Sequence, residues 1–358
     1  MKYLSLLLAL VAFQLSQAAV LVVDNTPGAG APYSTVSAAI SAATNGDTVM
    51  IQPSVTSYGQ VDLGKRLVLI GPGYYPEDRN VAKIEYLRFT SSNASNSILT
   101  GLQISRIQTT NNNVNGITLQ RNYLFGRTII QMSYPSSGWL IEGNLIDEST
   151  TCGGCAVIQL HNNAFNFSFR NNIIYTRSSS SNNTRMFNNF NGTISLINNI
   201  IIHRNPGYLF GGITWGNANN DVLLQNNIIW VTNPAVNFQG GCNNCIWNHN
   251  LTFSAGNTLP VLPGTANIDN TDPQFLQIPN VNNPAFAFDN DYRCAPGSPG
   301  ATGASDGGML GVHGGNYPFR NYLEPAGIPR MLDLILDNVI LEVGNNASVR
   351  VKAVGGAE

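Results

Sequence analysis

The chain has 358 residues, 18 Lys and Arg against 20 Asp and Glu, a formal net charge of −2, and only 11% charged residues, against about 25% in ordinary globular proteins. That balance excludes the basic field that nucleic acid or anionic lipid needs, and 43% hydrophobic residues exclude a disordered polymer. The excess is in Asn, with 47 residues, most of them between Asn93 and Asn290 in pairs and triplets.

Lys2 precedes an apolar run from Leu4 to Leu15, and Ser16-Gln17-Ala18 places small residues where a signal peptidase reads. Residues 1–18 are expected to be a cleaved leader and the mature chain to be secreted or held at a cell surface. The run is too short to cross a bilayer, which needs roughly 20 apolar residues, and no later segment is long and apolar enough to span one. Next comes YSTVSAAISAATNGDTVMIQP, residues 33–53. Val36, Ala39, Ile40 and Ala43 recur at helical spacing, which predicts a short helix over 34–43 that covers one end of a core. Gly46-Asp47 then turns the chain into a strand at Thr48 to Ile51.

A phrase repeats through the middle of the chain: TLQRNYL (118–124), LIEGNLI (140–146), SFRNNII (168–174), SLINNII (195–201), LLQNNII (223–229) and IWNHNLT (246–252). The spacings are 22, 28, 27, 28 and 23 residues, and no helix-period stretch lies between. Each phrase reads as a short strand, a polar corner and another short strand. Asn suits such a corner because it tolerates left-handed backbone and its amide can bond to the Asn one repeat above. The array predicts a solenoid of β-strand coils, each burying Ile and Leu against its neighbours.

Five cysteines follow the leader: Cys152 and Cys155, Cys242 and Cys245, and Cys294. If 156–161 is a strand, His161 lies about 20 Å along the chain from Cys155, so one zinc ion cannot hold both. In an exported chain the two Cys-x-x-Cys pairs are expected as local disulfides. Cys294 is either a small buried hydrophobe or available to another chain. After Pro318 three apolar-alternating pieces, 332–336, 339–343 and 348–353, read as a small β appendage over 318–358, the last two joined by a Gly344-Asn345-Asn346 turn.

From Val20 to Gly315 the sequence resembles the right-handed parallel β-helix proteins of the pectin-lyase-like superfamily, particularly secreted repeat-containing members. The helix and first strand at 33–53 are similar to that family's capping element. DPQF (272–275), DYRCAPGSPG (291–300) and GMLGVHGGNYPF (308–319) are similar to its closing segment. The resemblance implies an all-β, right-handed parallel β-helix over 19–317, and for the family's enzymes a cleft on the outer face of one sheet.

The strand that precedes the turn in each coil reads as 85–90, 128–133, 156–161, 186–190, 208–213 and 235–239. Alternation puts Ile130, Met132, Ile158, Leu160, Val236 and Phe238 inward, and Gln131, Ser133, Gln159, His161, Asn237 and Gln239 outward. The outward column therefore holds amides and a hydroxyl, with no carboxylate beyond Glu85, so no metal site or cofactor is expected. Asp147-Glu148 is read as a solvated turn, and His161, near Arg185 or Arg204, as the single weak candidate for a catalytic base. The expected ligand contacts are Gln131, Gln159, His161, Asn188 and Gln239, bordered by Tyr134, Trp139 and Trp215, because amides pair with hydroxyls and flat rings stack on sugars. The leading expectation is a non-catalytic protein that binds extracellular polysaccharide. Two others stand beside it: a self-associating structural or adhesive protein, and a polysaccharide lyase or glycoside hydrolase with an atypical site.

Overall fold

The computed structural model describes residues 18–74, 81–110, 113–148, 156–176, 185–190, 193–204, 209–211, 221–232, 236, 238, 244–278, 287, 289–320 and the strands Arg330–Leu336 and Val349–Val354. Strands recur in threes. A typical coil runs through Thr118–Gln120, a two-residue corner, Tyr123–Gly126 and Ile130–Met132, and then returns as Leu140–Glu142 one rung on. Successive first strands pair in parallel into a ten-stranded sheet, second strands into an eight-stranded sheet and third strands into a seven-stranded sheet. The chain is thus an all-β parallel solenoid. Inside it, the apolar half of each alternating strand forms one continuous core from Leu21 to Leu262.

The Asn corners divide between two residues the properties expected of one. The first corner residue takes the left-handed backbone: Arg121, Gly143, Asn171, Asn198, Asn226 and His249 have φ between 53° and 62°. The second points inward and builds the ladder. Asn144 Nδ2 donates to Asn172 Oδ1 at 3.0 Å, Asn172 to Asn199 at 3.0 Å, Asn199 to Asn227 at 3.0 Å, Asn227 to Asn250 at 2.9 Å and Asn250 to Asn267 at 3.1 Å. Each amide oxygen also accepts the backbone N–H of the rung before it, as Asn199 Oδ1 does from Asn172 N at 3.0 Å. Every rung is therefore hydrogen-bonded inside a core that would otherwise penalise it.

Beyond the corners the strands stop alternating. Leu145–Glu148, Ile173–Thr176, Ile200–His203, Ile228–Val231 and Leu251–Phe253 are buried at every position, the pattern of strands covered on both faces. The second cover is a strap formed by the closing segment. Phe275, Tyr292, Cys294, Leu310, Val312 and Phe319 pack on the outer face of the eight-stranded sheet against Tyr175, Ile202 and Trp230. First-corner asparagines tie it down: Asn171 Nδ2 donates to the Val312 and Gly314 carbonyls at 3.0 and 2.8 Å, and Asn226 Oδ1 accepts Ser305 N at 2.9 Å. Cys294, on the strap's inner side, is a free, buried thiol. Burial pushes its pKa up to about 12, so the intermolecular role open to it in the sequence would require the strap to lift.

At the opposite end the expected cap is a helix at Val36–Ala42, with Thr35 Oγ1 accepting Ala38 N at 3.2 Å. Val36, Ala39, Ile40 and Ala43 are all buried, and Lys65 Nζ donates to the Ile40, Ser41 and Ala43 carbonyls at the helix C-terminus. The Thr44 and Ala19 backbone N–H groups hold the Asp47 carboxyl below the usual carboxylate range, which fixes the turn into Thr48–Ile51. In the appendage Arg330–Leu336 pairs antiparallel with Val349–Val354, Leu336 opposite Val349; 339–343 and the Gly344-Asn345-Asn346 turn expected to join it to the last strand lie outside the described residues.

Candidate binding face

The outward face of the seven-stranded sheet is fixed by register. Asp62 aligns with Arg88, Arg88 with Gln108, Gln108 with Gln131, Gln131 with Gln159, Gln159 with Asn188, and Asn188 with Gly211. The rungs of such a sheet are about 4.8 Å apart, so Gln108 to Asn188 present four amides in line over about 14 Å. Beneath them Ile130, Met132, Ile158 and Leu160 are buried as the alternation required.

The amides are not all engaged. Gln131 Oε1 accepts Arg106 Nη2, and Gln108 Nε2 donates to Ser133 Oγ at 3.3 Å. Among the described residues Gln159 makes no side-chain hydrogen bond and the buried Asn188 Oδ1 has no partner. Arg106 lies over the Tyr86 ring, 5.3 Å from its centroid, at the edge of the row. The row also holds a carboxylate that the sequence reading did not place there, Asp62, which Arg88 Nη2 engages at 2.5 Å. Glu85, expected on this strand, is in the bend before Tyr86–Phe89.

The expected aromatic border is only partly present. Tyr134 is exposed, but Trp139 is 1% exposed. Its indole N–H donates to the Val114 carbonyl at 2.7 Å, and its ring packs between Phe89 and Phe167, so it is a core residue and offers no face to a ligand. Period-two alternation already carries this signal, since Trp139 shares a face with inward Ile141. Trp215 and Gln239 lie outside the described residues, as do Cys152, Cys155 and Cys242; Cys245 is disulfide-bonded.

The candidate catalytic groups do not converge. His161 Nδ1 accepts Asn163 N at 3.1 Å in a local turn, whereas Arg204 Nη1 donates to Tyr175 Oη at 3.1 Å under the strap, against a different sheet. The Arg185 side chain lies outside the described residues. Asp147 and Glu148 are not a solvated turn. They belong to the strand Leu145–Glu148 and are buried, with Asp147 Oδ2 accepting the Tyr123 hydroxyl at 3.0 Å. An acidic pair reads as a loop by composition, but here burial on both faces of the sheet overrides it. Among the described residues no three His, Cys, Asp or Glu side chains gather as metal ligands, and no helix is long and apolar enough to cross a membrane. Comparison with protein-family models, curated proteins and solved structures finds no match.

Proposed function

We propose that this chain is a secreted, non-catalytic β-solenoid of the pectin-lyase-like kind that binds an extracellular polysaccharide along the outward face of its seven-stranded sheet. The observation that supports it most is the in-register amide row Gln108, Gln131, Gln159 and Asn188, with the Gln159 amide unengaged among the described residues. Amides donate to and accept from hydroxyls without requiring charge. The rung repeat is close to the rise of one sugar along an extended chain, so one glycan can meet successive amides. Tyr86 and Tyr134 supply apolar ring surface at the margins. The row's one carboxylate is tied to Arg88, which leaves hydrogen bonding as the row's principal chemistry.

The test is retention of the full chain on immobilised cellulose, xylan, mannan and polygalacturonate. Binding to at least one polymer is expected, weakened about tenfold or more by Gln131→Ala combined with Gln159→Ala. Retention on none of the four, or retention indifferent to both substitutions, would refute the assignment to this face.

A further inference from the structure

The ten-stranded sheet also turns a face outward. One of its outer rows runs in register from Val22 to Asn248, and the charged residues on it are Glu142 and Arg170, on adjacent rungs. They form an ion pair. Gln120, one rung before, donates Nε2 to Glu142 Oε1 at 2.6 Å, so each carboxylate oxygen has one donor. A carboxylate has about four acceptor sites; the 4% exposed Glu142 is thus held in place with acceptor capacity left.

Beside this carboxylate the corner column has a gap. Of the six corners of the repeated Asn phrase, five carry a side chain at the first position, but Gly143, φ 62°, does not, as Gly101, φ 67°, does not one coil before Arg121. One rung on, Asn171 pins the strap through Val312 and Gly314; the strap then carries Tyr317 over Arg170, whose guanidinium lies 3.8 Å from the ring centroid. The missing side chain below and the strap above enclose a cleft of about 300 Å³, lined by Gln120, Arg121, Glu142, Gly143, Tyr317 and Arg320. Tyr317 remains 48% exposed.

We infer that this cleft is a second binding site, separate from the amide row, for a single neutral sugar ring. Ligand pockets run from about 300 to 1,000 Å³, so this one takes a unit and not a stretch of chain. A ring with neighbouring hydroxyls donates to Glu142 and accepts from the second N–H of Gln120 Nε2, while its apolar face lies on Tyr317. A neutral ring uses both the Glu142 acceptor and the N–H donors of the lining, whereas an anion would be drawn by Arg121 and Arg320 but would leave Glu142 without a hydroxyl donor; the polar lining disfavours a purely apolar guest.

The alternative, that Glu142, Arg170 and Tyr317 only fasten the end of the strap, is separated by Gly143→Asn. Asn171, Asn198 and Asn226 hold the same corner conformation, and a Cβ at Gly143 would have Arg121 Cγ as its nearest neighbour, at 3.6 Å. The substitution therefore fills the cleft without breaking the corner. Saturation-transfer NMR on the full chain, with the methyl glycosides of glucose, galactose, mannose and xylose and of glucuronic acid, is the measurement. At least one neutral glycoside is expected to bind, to be lost in Gly143→Asn and Tyr317→Ala, and to be unaffected by Gln159→Ala, which alters only the amide row. Binding of no neutral glycoside, binding that survives Gly143→Asn, or preference for the glucuronide would overturn the inference.

Discussion

At the scale of single residues, the two asparagines of a corner look alike in sequence but are held by different forces. Removing the Asn199 side chain deprives Asn172 N, Asn172 Nδ2 and the Phe169 carbonyl of buried partners. Each such loss costs about 1–3 kcal/mol, so Asn199→Ala is expected to lower stability by at least about 3 kcal/mol in urea unfolding. Asn198→Gly keeps the left-handed corner and removes an amide whose oxygen has no partner among the described residues; its cost should stay under about 1 kcal/mol. Equal costs would show that the ladder is not what holds the coils. His203 gives a second prediction. It is fully buried, with neither ring nitrogen bonded among the described residues, and burial lowers its pKa to about 4, whereas an unfolded His titrates near 6.5. Between those values the unfolded state takes the proton and the folded state does not. Stability is therefore intact above about pH 6.5 and declines as the pH falls towards 4, by roughly 3 kcal/mol in all. His203→Val, beside Val231 in the next rung, should flatten that part of the acid limb in pH-dependent thermal melts. An unchanged limb would remove His203 as its cause.

At the scale of elements, the strap governs what the eight-stranded sheet exposes. Its anchors are the Asn171 and Asn226 side chains, and its packing centres on Trp230, whose ring lies 5.6 Å from Phe253 and 5.9 Å from Phe275. Cys294 on its inner side is a built-in reporter, because a buried thiol with a raised pKa reacts slowly. In the native chain its alkylation should be slow, and Asn171→Ala with Asn226→Ala should speed it about tenfold or more while the melting transition persists. Rapid alkylation of the unaltered chain would contradict a closed strap. This element was the least legible in the sequence. DPQF and its neighbours carry no period, so only likeness to a family's closing segment marked them. The complementary signal was present in IIYT, IIIH and IIWV, apolar runs too continuous for a sheet with one wet face. The capping helix and the corners were legible because each is a period with a physical cause, 3.6 residues for a covered helix face and one coil for a stacked amide.

At the scale of the molecule, a parallel solenoid converts sequence repeats into straight rows of side chains, so the proposed function rests on which rows are left unsatisfied. The amide row was readable in advance at Gln131, Gln159 and Asn188 because alternation fixes which residues face outward. Its extension through Gln108 to Arg88 and Asp62 was not, since the early coils lack the Asn phrase that sets the register. The gap at Gly143 is visible only as a departure from a column that the fold first has to align. The most direct test of the amide row as the binding face is an NMR titration of the full chain labelled with 15N in glutamine side chains, using soluble oligosaccharides of whichever polymer retains the protein. The account predicts that the Gln108, Gln131 and Gln159 amide resonances shift together while Gln225, on the ten-stranded sheet, stays still and no reducing ends accumulate. Stationary resonances for those three, or oligosaccharide shortened during the titration, would contradict it.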